Sequence, residues 1–134
     1  MSPGLLQDIG ALVKAAIGNV PLSVGAQTRT GTGIDRQGYQ SAVLIAVVGA
    51  GTTPVLDAKI QDSADNSTFA DYTDPSTGAL AAVAQITTIN TIAKKAVNLS
   101  KAKRYIRVSE TTTGTAVLAG EVVVLGGADT LPVA

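Results

Sequence analysis

The stretch that most constrains this chain is Ile34 to Ser63, IDRQGYQSAVLIAVVGAGTTPVLDAKIQDS. Within it Ala42, Val43, Leu44, Ile45, Ala46, Val47 and Val48 are apolar without a break. A run that short, rich in β-branched residues and closed by Gly49, Gly51 and Pro54, reads as a strand buried on both faces. Val55 to Gln61 instead alternates, with Leu56, Ala58 and Ile60 on one side and Asp57, Lys59 and Gln61 on the other. That is a strand with one wet face. Joined by Gly-Ala-Gly-Thr-Thr-Pro, the two segments are expected to form a hairpin inside an all-β domain.

The flanking sequence extends the pattern. Leu5, Leu6, Ile9, Leu12, Val13, Ala16 and Ile17 recur at helical spacing, with Ser2 as a cap and Pro3 in the first turn. Ile9, Ala11, Val13, Ala15 and Ile17 also alternate, so a short helix and a strand over part of 9–17 both fit. Residues 19–25 read as a turn into a short strand, with Pro21 at its start or on a sheet edge. Residues 29–33 and Gly38 read as loop, and 62–68 as a turn. A short strand over 69–72 and a turn over 73–78 follow. Strands are expected over 80–88, 91–99 and 103–109, the last with Ile106 and Val108 inward and Tyr105 and Arg107 outward. A turn at 111–115 leads into 116–125, whose Val122 to Leu125 reads as buried on both sides; Gly126-Gly127 ends it. About eight short strands with regular turn signals predict a jelly-roll-like antiparallel β-sandwich with an N-terminal arm or short helix. One domain is expected over 1–134: a possible arm over 1–20, the sandwich over 21–127, and a tail over 128–134.

Composition removes most chemistry. The chain has no histidine and no cysteine, which excludes Ser-His-Asp and Cys-His catalysis, His-based zinc sites and disulfides. Ten basic residues balance ten acidic ones, so overall charge implies no nucleic-acid partner. Only 15% of residues are charged, against a typical ~25%, which leaves a free monomer poorly protected against association. No signal peptide is read at the N-terminus, and the apolar runs fall short of the ~20 residues of a membrane helix, so no membrane partner is expected. The protein is expected to be made in the cytoplasm.

Four local features bear on function. The acidic stretch with Asp62, Asp65, Asn66, Asp71 and Asp74 lacks the ligand order of a calcium loop and reads as carboxylates capping turns. Lys94, Lys95, Lys101, Lys103, Arg104 and Arg107 form a basic cluster with no acid among them. It reads as a solvated edge or a seat for the acidic 57–74 region of this or a neighbouring subunit, and Arg104 and Arg107 are candidate interface residues. Leu5, Leu6 and Ile9 are candidates for docking on a neighbour, or for closing the protein's own core. The glycines at 31, 33, 49 and 51 form no phosphate loop, and nothing singles out a catalytic carboxylate pair from ten acids. No catalytic, metal or cofactor site is expected.

Three segments, IDRQGYQSAVLIAVVGAG at 34–51, AKIQDSADNSTFADYTD at 58–74 and KRYIRVSETTTGTA at 103–116, together with VVVLGG at 122–127, resemble small tailed-phage virion proteins of the capsid decoration, or cement, type. The resemblance implies a jelly-roll-like sandwich that sits as a dimer or trimer on the capsid exterior and clamps neighbouring major capsid subunits, without catalysis. A tail component with the same domain is the first alternative. The second is a carbohydrate-binding jelly roll, for which Tyr39, Phe69, Tyr72 and Tyr105 are the available aromatic platforms.

Overall fold

The structure is a computed structural model that describes residues 8–130. Among them the single helical element is the 3-10 turn Ile9–Ala11. No helix among the described residues is long and apolar enough to cross a membrane. The strands are β1 (Lys14–Val24), β2 (Gln27–Thr30), β3 (Ile34–Asp35), β4 (Tyr39–Ser63), β5 (Ala70–Asp71), β6 (Thr73–Asp74), β7 (Ala79–Leu80), β8 (Thr91–Asn98) and β9 (Tyr105–Ala128). The ambiguous N-terminal pattern thus resolves into one 3-10 turn and then a strand. That strand runs on through Pro21, where a turn was expected, because register shifts on either side of Asn19 absorb the proline at the sheet edge.

The expected hairpin does not form. Residues 42–48 and 55–61 belong to one 25-residue strand, β4, which pairs antiparallel with the 24-residue β9 along its whole length, from Tyr39 opposite Ala128 to Ser63 opposite Tyr105. The expected turn at 111–115 lies inside β9 for the same reason. The two glycine-containing breaks face each other, Thr52 opposite Thr115 and Val55 opposite Thr113, so both strands bend together instead of turning back. Three successive register shifts between Val48 and Val55 concentrate the bend, as bulges do at sheet corners.

Each half of the bent pair gathers its own neighbours. Residues 39–50 and 117–128 are flanked by β8 and β1 in the order β8-β4-β9-β1. In the other half β2 and β3 lie beside β9, so Arg29 and Thr30 sit in a strand where loop was expected. β5 lies beside β4, and the 80–88 segment makes only isolated bridges to it, Ala82 to Lys59 and Ile86 to Leu56. The inner faces of both halves share one core: Leu44, Ala46 and Val48 from before the bend, Leu56 and Ile60 from after it, Val108 and Val123 from the two halves of β9. The result is a jelly-roll-like antiparallel β-sandwich.

Gly114 makes the corner possible. It has φ +110°, and a Cβ there would lie 2.6 Å from the Thr53 carbonyl oxygen and 2.8 Å from that of Thr52. Gly114→Ala is expected to cost at least about 2 kcal/mol, the sum of an unfavourable backbone region and a main-chain clash. A shift in the urea midpoint reads it; an unchanged midpoint would mean the corner tolerates a side chain.

Candidate functional site

The two outer faces of the sandwich differ in kind. After the bend, the outward residues of β4 and β9 are Asp57, Lys59, Gln61, Arg107, Ser109 and Thr111, tied into a polar surface. Lys59 Nζ lies 2.9 Å from Asp71 Oδ2, Gln61 Nε2 donates to Asp71 Oδ1 and Arg107 Nε donates to Gln61. Gln61 and then Lys59 hold the Asp71 carboxyl below its ordinary range.

Before the bend the outer face is aliphatic. Strand register sets its rows. Val43 lies between Ala96 and Val124, with Ala15 beyond. Ile45 lies between Lys94 and Val122, with Ile17 beyond. Val47 lies between Ile92 and Gly120. Relative exposures of 41% for Val47, 38% for Val122, 66% for Ile92, 61% for Ile17 and 44% for Leu118 show that nothing in the described chain covers them. Both apolar runs therefore bury one row of side chains, not two. A strand buried on both faces needs a third layer, and the described residues supply none. Among the described residues, half of the ten exposed large hydrophobics lie in these rows or beside them. Scattered apolar residues need no explanation, but a contiguous patch marks an interaction surface. Gly120 floors a depression of about 290 Å³ in this face, bordered by Pro21, Val47, Leu118 and Val122. A Cβ on Gly120 would lie 2.9 Å from Pro21 Cα, so only glycine lets the bulged edge close over it.

The chain's two glutamates, Glu110 and Glu121, lie together inside the sandwich at 0% and 1% exposure. Arg29 grips Glu110 with two bonds, Nε to Oε1 at 2.9 Å and Nη2 to Oε2 at 3.0 Å. Asn19 Nδ2 donates to Glu121 Oε1 at 2.6 Å and to the Val108 carbonyl. Glu121 Oε2 has no donor. Burial first, and then the neighbouring Glu110 carboxylate, push the Glu121 carboxyl up to about 9, so it is protonated at neutral pH and its proton is shared with Glu110. Asn19 and Arg29 line a cleft of about 550 Å³, but neither glutamate does. Through Asn19 and Arg29 the buried carboxyl pair ties β1, β2 and β9 together.

The acidic stretch caps turns, as its composition implies. Asp65 Oδ1 accepts from the Ser67 and Thr68 amides and from Ser63 Oγ, and the Thr68 amide above all draws its carboxyl down to about 2. Asp74 Oδ1 accepts from the Ser76 amide. The interface candidates are not brought together. Arg104 pairs with Asp35 at 2.9 Å and lies over Tyr105, whereas Arg107 stacks on Phe69 with its guanidinium carbon 4.2 Å from the ring centre. Ile9 is exposed on the 3-10 turn; Leu5 and Leu6 lie outside the described residues. Of the aromatic residues, Tyr72 is buried with its hydroxyl donating to the Asn98 carbonyl, and Tyr39 packs against the core.

No family model and no curated protein sequence matches the chain. Solved structures match its fold. The PBSX exported protein XepA superposes with a TM-score of 0.57 at 17% identity, over 90% of this chain and 39% of that one. The SPBc2 prophage-derived protein YomS gives 0.51 at 9% identity, over 85% of this chain and 94% of that one. A structure of infectious bursal disease virus, Gx strain, gives 0.50 at 14% identity, over 84% of this chain and 31% of the viral chain. This chain thus spans well under half of XepA and of the viral chain and nearly the whole of YomS. At these identities the shared property is the β-sandwich itself.

Proposed function

We propose that this chain is a structural virion protein that binds the outside of a phage capsid lattice and stabilises it, with the major capsid protein as its partner and no catalytic step. The observation that carries this reading is the bare aliphatic face on a sandwich most of whose carboxylates are engaged in turns, ion pairs and a buried tie. Such a molecule offers surfaces and little chemistry. The resemblance of the segments 34–51, 58–74, 103–116 and 122–127 to head decoration proteins supplies the lattice, and the likeness of the fold to prophage-derived and viral structures fits it. A protein that binds the expanded shell and not its disassembled subunits stabilises the shell by mass action. Repeated contacts with neighbouring subunits multiply modest affinities.

The test adds the purified protein to expanded, undecorated heads and measures stoichiometry and the heads' melting temperature. Saturable binding at a fixed ratio to capsid subunits, with a melting temperature raised by several degrees, is expected. No binding, or binding without a gain in stability, sinks the cement role, and binding to tails alone transfers the protein there.

A further inference from the structure

We propose that the aliphatic outer face of the β8-β4-β9-β1 sheet is the seat of a second copy of this chain, packed face to face about a two-fold axis. The inference rests on reading this face as an assembly surface, and not on which lattice the assembly serves.

Size comes first. Four strands about 4.8 Å apart, over the nine positions from Ser41 to Gly49 at about 3.3 Å each, make a rectangle of roughly 19 Å by 30 Å. Its projected area is about 550 Å², and the accessible area of a pleated surface is larger. That approaches the ~800 Å² per partner of a standard stable interface.

Chemistry then selects the occupant. All four strands are laddered, so the face presents methyl groups and almost no main-chain donors or acceptors. What covers such a surface well is another pleated aliphatic surface, stacked about 10 Å away. The described chain has one such uncovered surface, and it is this one. A formal net charge of +0 means that two copies meet without long-range repulsion. Lys94 and Lys95 on β8 discourage edge-to-edge pairing there, which leaves the face as the route to association.

The relief is self-complementary. In one row Val47 stands beside Gly120, which Pro21 covers, and the depression between Pro21, Leu118 and Val122 lies next to it. A two-fold axis parallel to the strands and midway between β4 and β9 sets β4 of one copy over β9 of the other. Each Val47 then faces the depression beside the other copy's Pro21 and Gly120, and Ile45 and Val43 meet Val122 and Val124 across the interface. Lys94 falls at the rim, where its ammonium stays in water.

Sedimentation equilibrium of the purified chain, without capsids, tests this. A dimer is expected at tens of micromolar. Val47→Glu and Ile92→Glu should each weaken it by at least about 100-fold by placing an unpaired charge in the apolar interface. Both positions are exposed in the single chain, so circular dichroism and the thermal midpoint should show each variant folded. Lys59→Glu, on the polar face, should leave the dimer intact. A monomer or a trimer at these concentrations overturns the proposal, as does a dimer that survives both glutamate substitutions. Loss of the dimer on Lys59→Glu moves the interface to the other face and overturns it equally. A dimer that forms but fails to bind heads defeats the cement role and leaves this inference standing.

Discussion

Replacing Arg29 with methionine is expected to cost about 3–5 kcal/mol of stability, enough to unfold a domain of ordinary stability or bring it close to unfolding. Methionine keeps much of the side-chain length but removes both bonds to Glu110, whose side chain is fully buried while that of Arg29 is only 15% exposed. The carboxylate would be left inside the sandwich, beside a second carboxyl and with no cation. Arg29 also donates to the Val20 and Ala119 carbonyls, so the variant loosens the seam where β1, β2 and β9 meet. Arg29→Lys should recover part of the loss, since an ammonium restores charge but not the two-pronged geometry. Urea unfolding measures both variants. Combining Arg29→Met with Glu110→Gln should recover much of the deficit, because the orphaned charge is then gone. A single variant within about 1 kcal/mol of the parent would show that the ion pair does not hold this seam.

Much of the sandwich was readable from residue order alone. Alternation at 55–61 and 103–109 placed Ile60, Ile106 and Val108 in the core and Lys59 and Arg107 outside it, and burial agrees. What sequence order misread were the two places where long strands bend. A glycine-rich break flanked by strands looks the same whether the chain reverses or turns a corner. The difference lies in whether a second break sits opposite it on the neighbouring strand, here Thr113 to Thr115 against Thr52 to Val55. The apolar face was hidden by a related ambiguity. An unbroken run such as Ala42–Val48 records that both sides are aliphatic, and says nothing about whether both are covered. One signal did point the right way: with at most one short N-terminal helix and no third sheet in the sequence, a second buried face had little to be buried against. The glutamate pair was also within reach, since Glu110 shares the parity of Val108 and Thr112, and Glu121 that of Ala119 and Val123. Their parity says that both point inward; that they meet there follows only from β9 folding back over its own core.

That meeting should give the protein an unusual pH profile, and Glu121→Gln should abolish it. The folded-state value of Glu121, about 9, lies above the ordinary 4.5, so folding at neutral pH takes up a proton. The contribution is fully present below pH 4.5 and is lost as pH rises through the folded-state value. In that window one proton's worth of linkage lowers stability by up to about 1.4 kcal/mol per pH unit. Asp65 acts with the opposite sign: its carboxyl, drawn down to about 2 from 3.8, adds stability above pH 3.8 that is lost as pH falls towards 2. Stability should therefore peak near pH 4–5 and decline on the alkaline side, where most proteins are flat. Glutamine at 121 carries its own N–H to donate to Glu110 and keeps an oxygen for Asn19, with no proton to take up. At pH 8 the variant should exceed the parent by something on the order of 3 kcal/mol, and its denaturant midpoint should be level from pH 6 to 8.5. Asn19→Ala, by contrast, strips Glu121 of its one donor and should lower stability by about 1–3 kcal/mol. If Glu121→Gln were instead less stable at pH 8, Glu121 would have to be ionised in the folded protein. Arg29 would then be serving both carboxylates, and the buried tie would be a charged triad and not a shared proton.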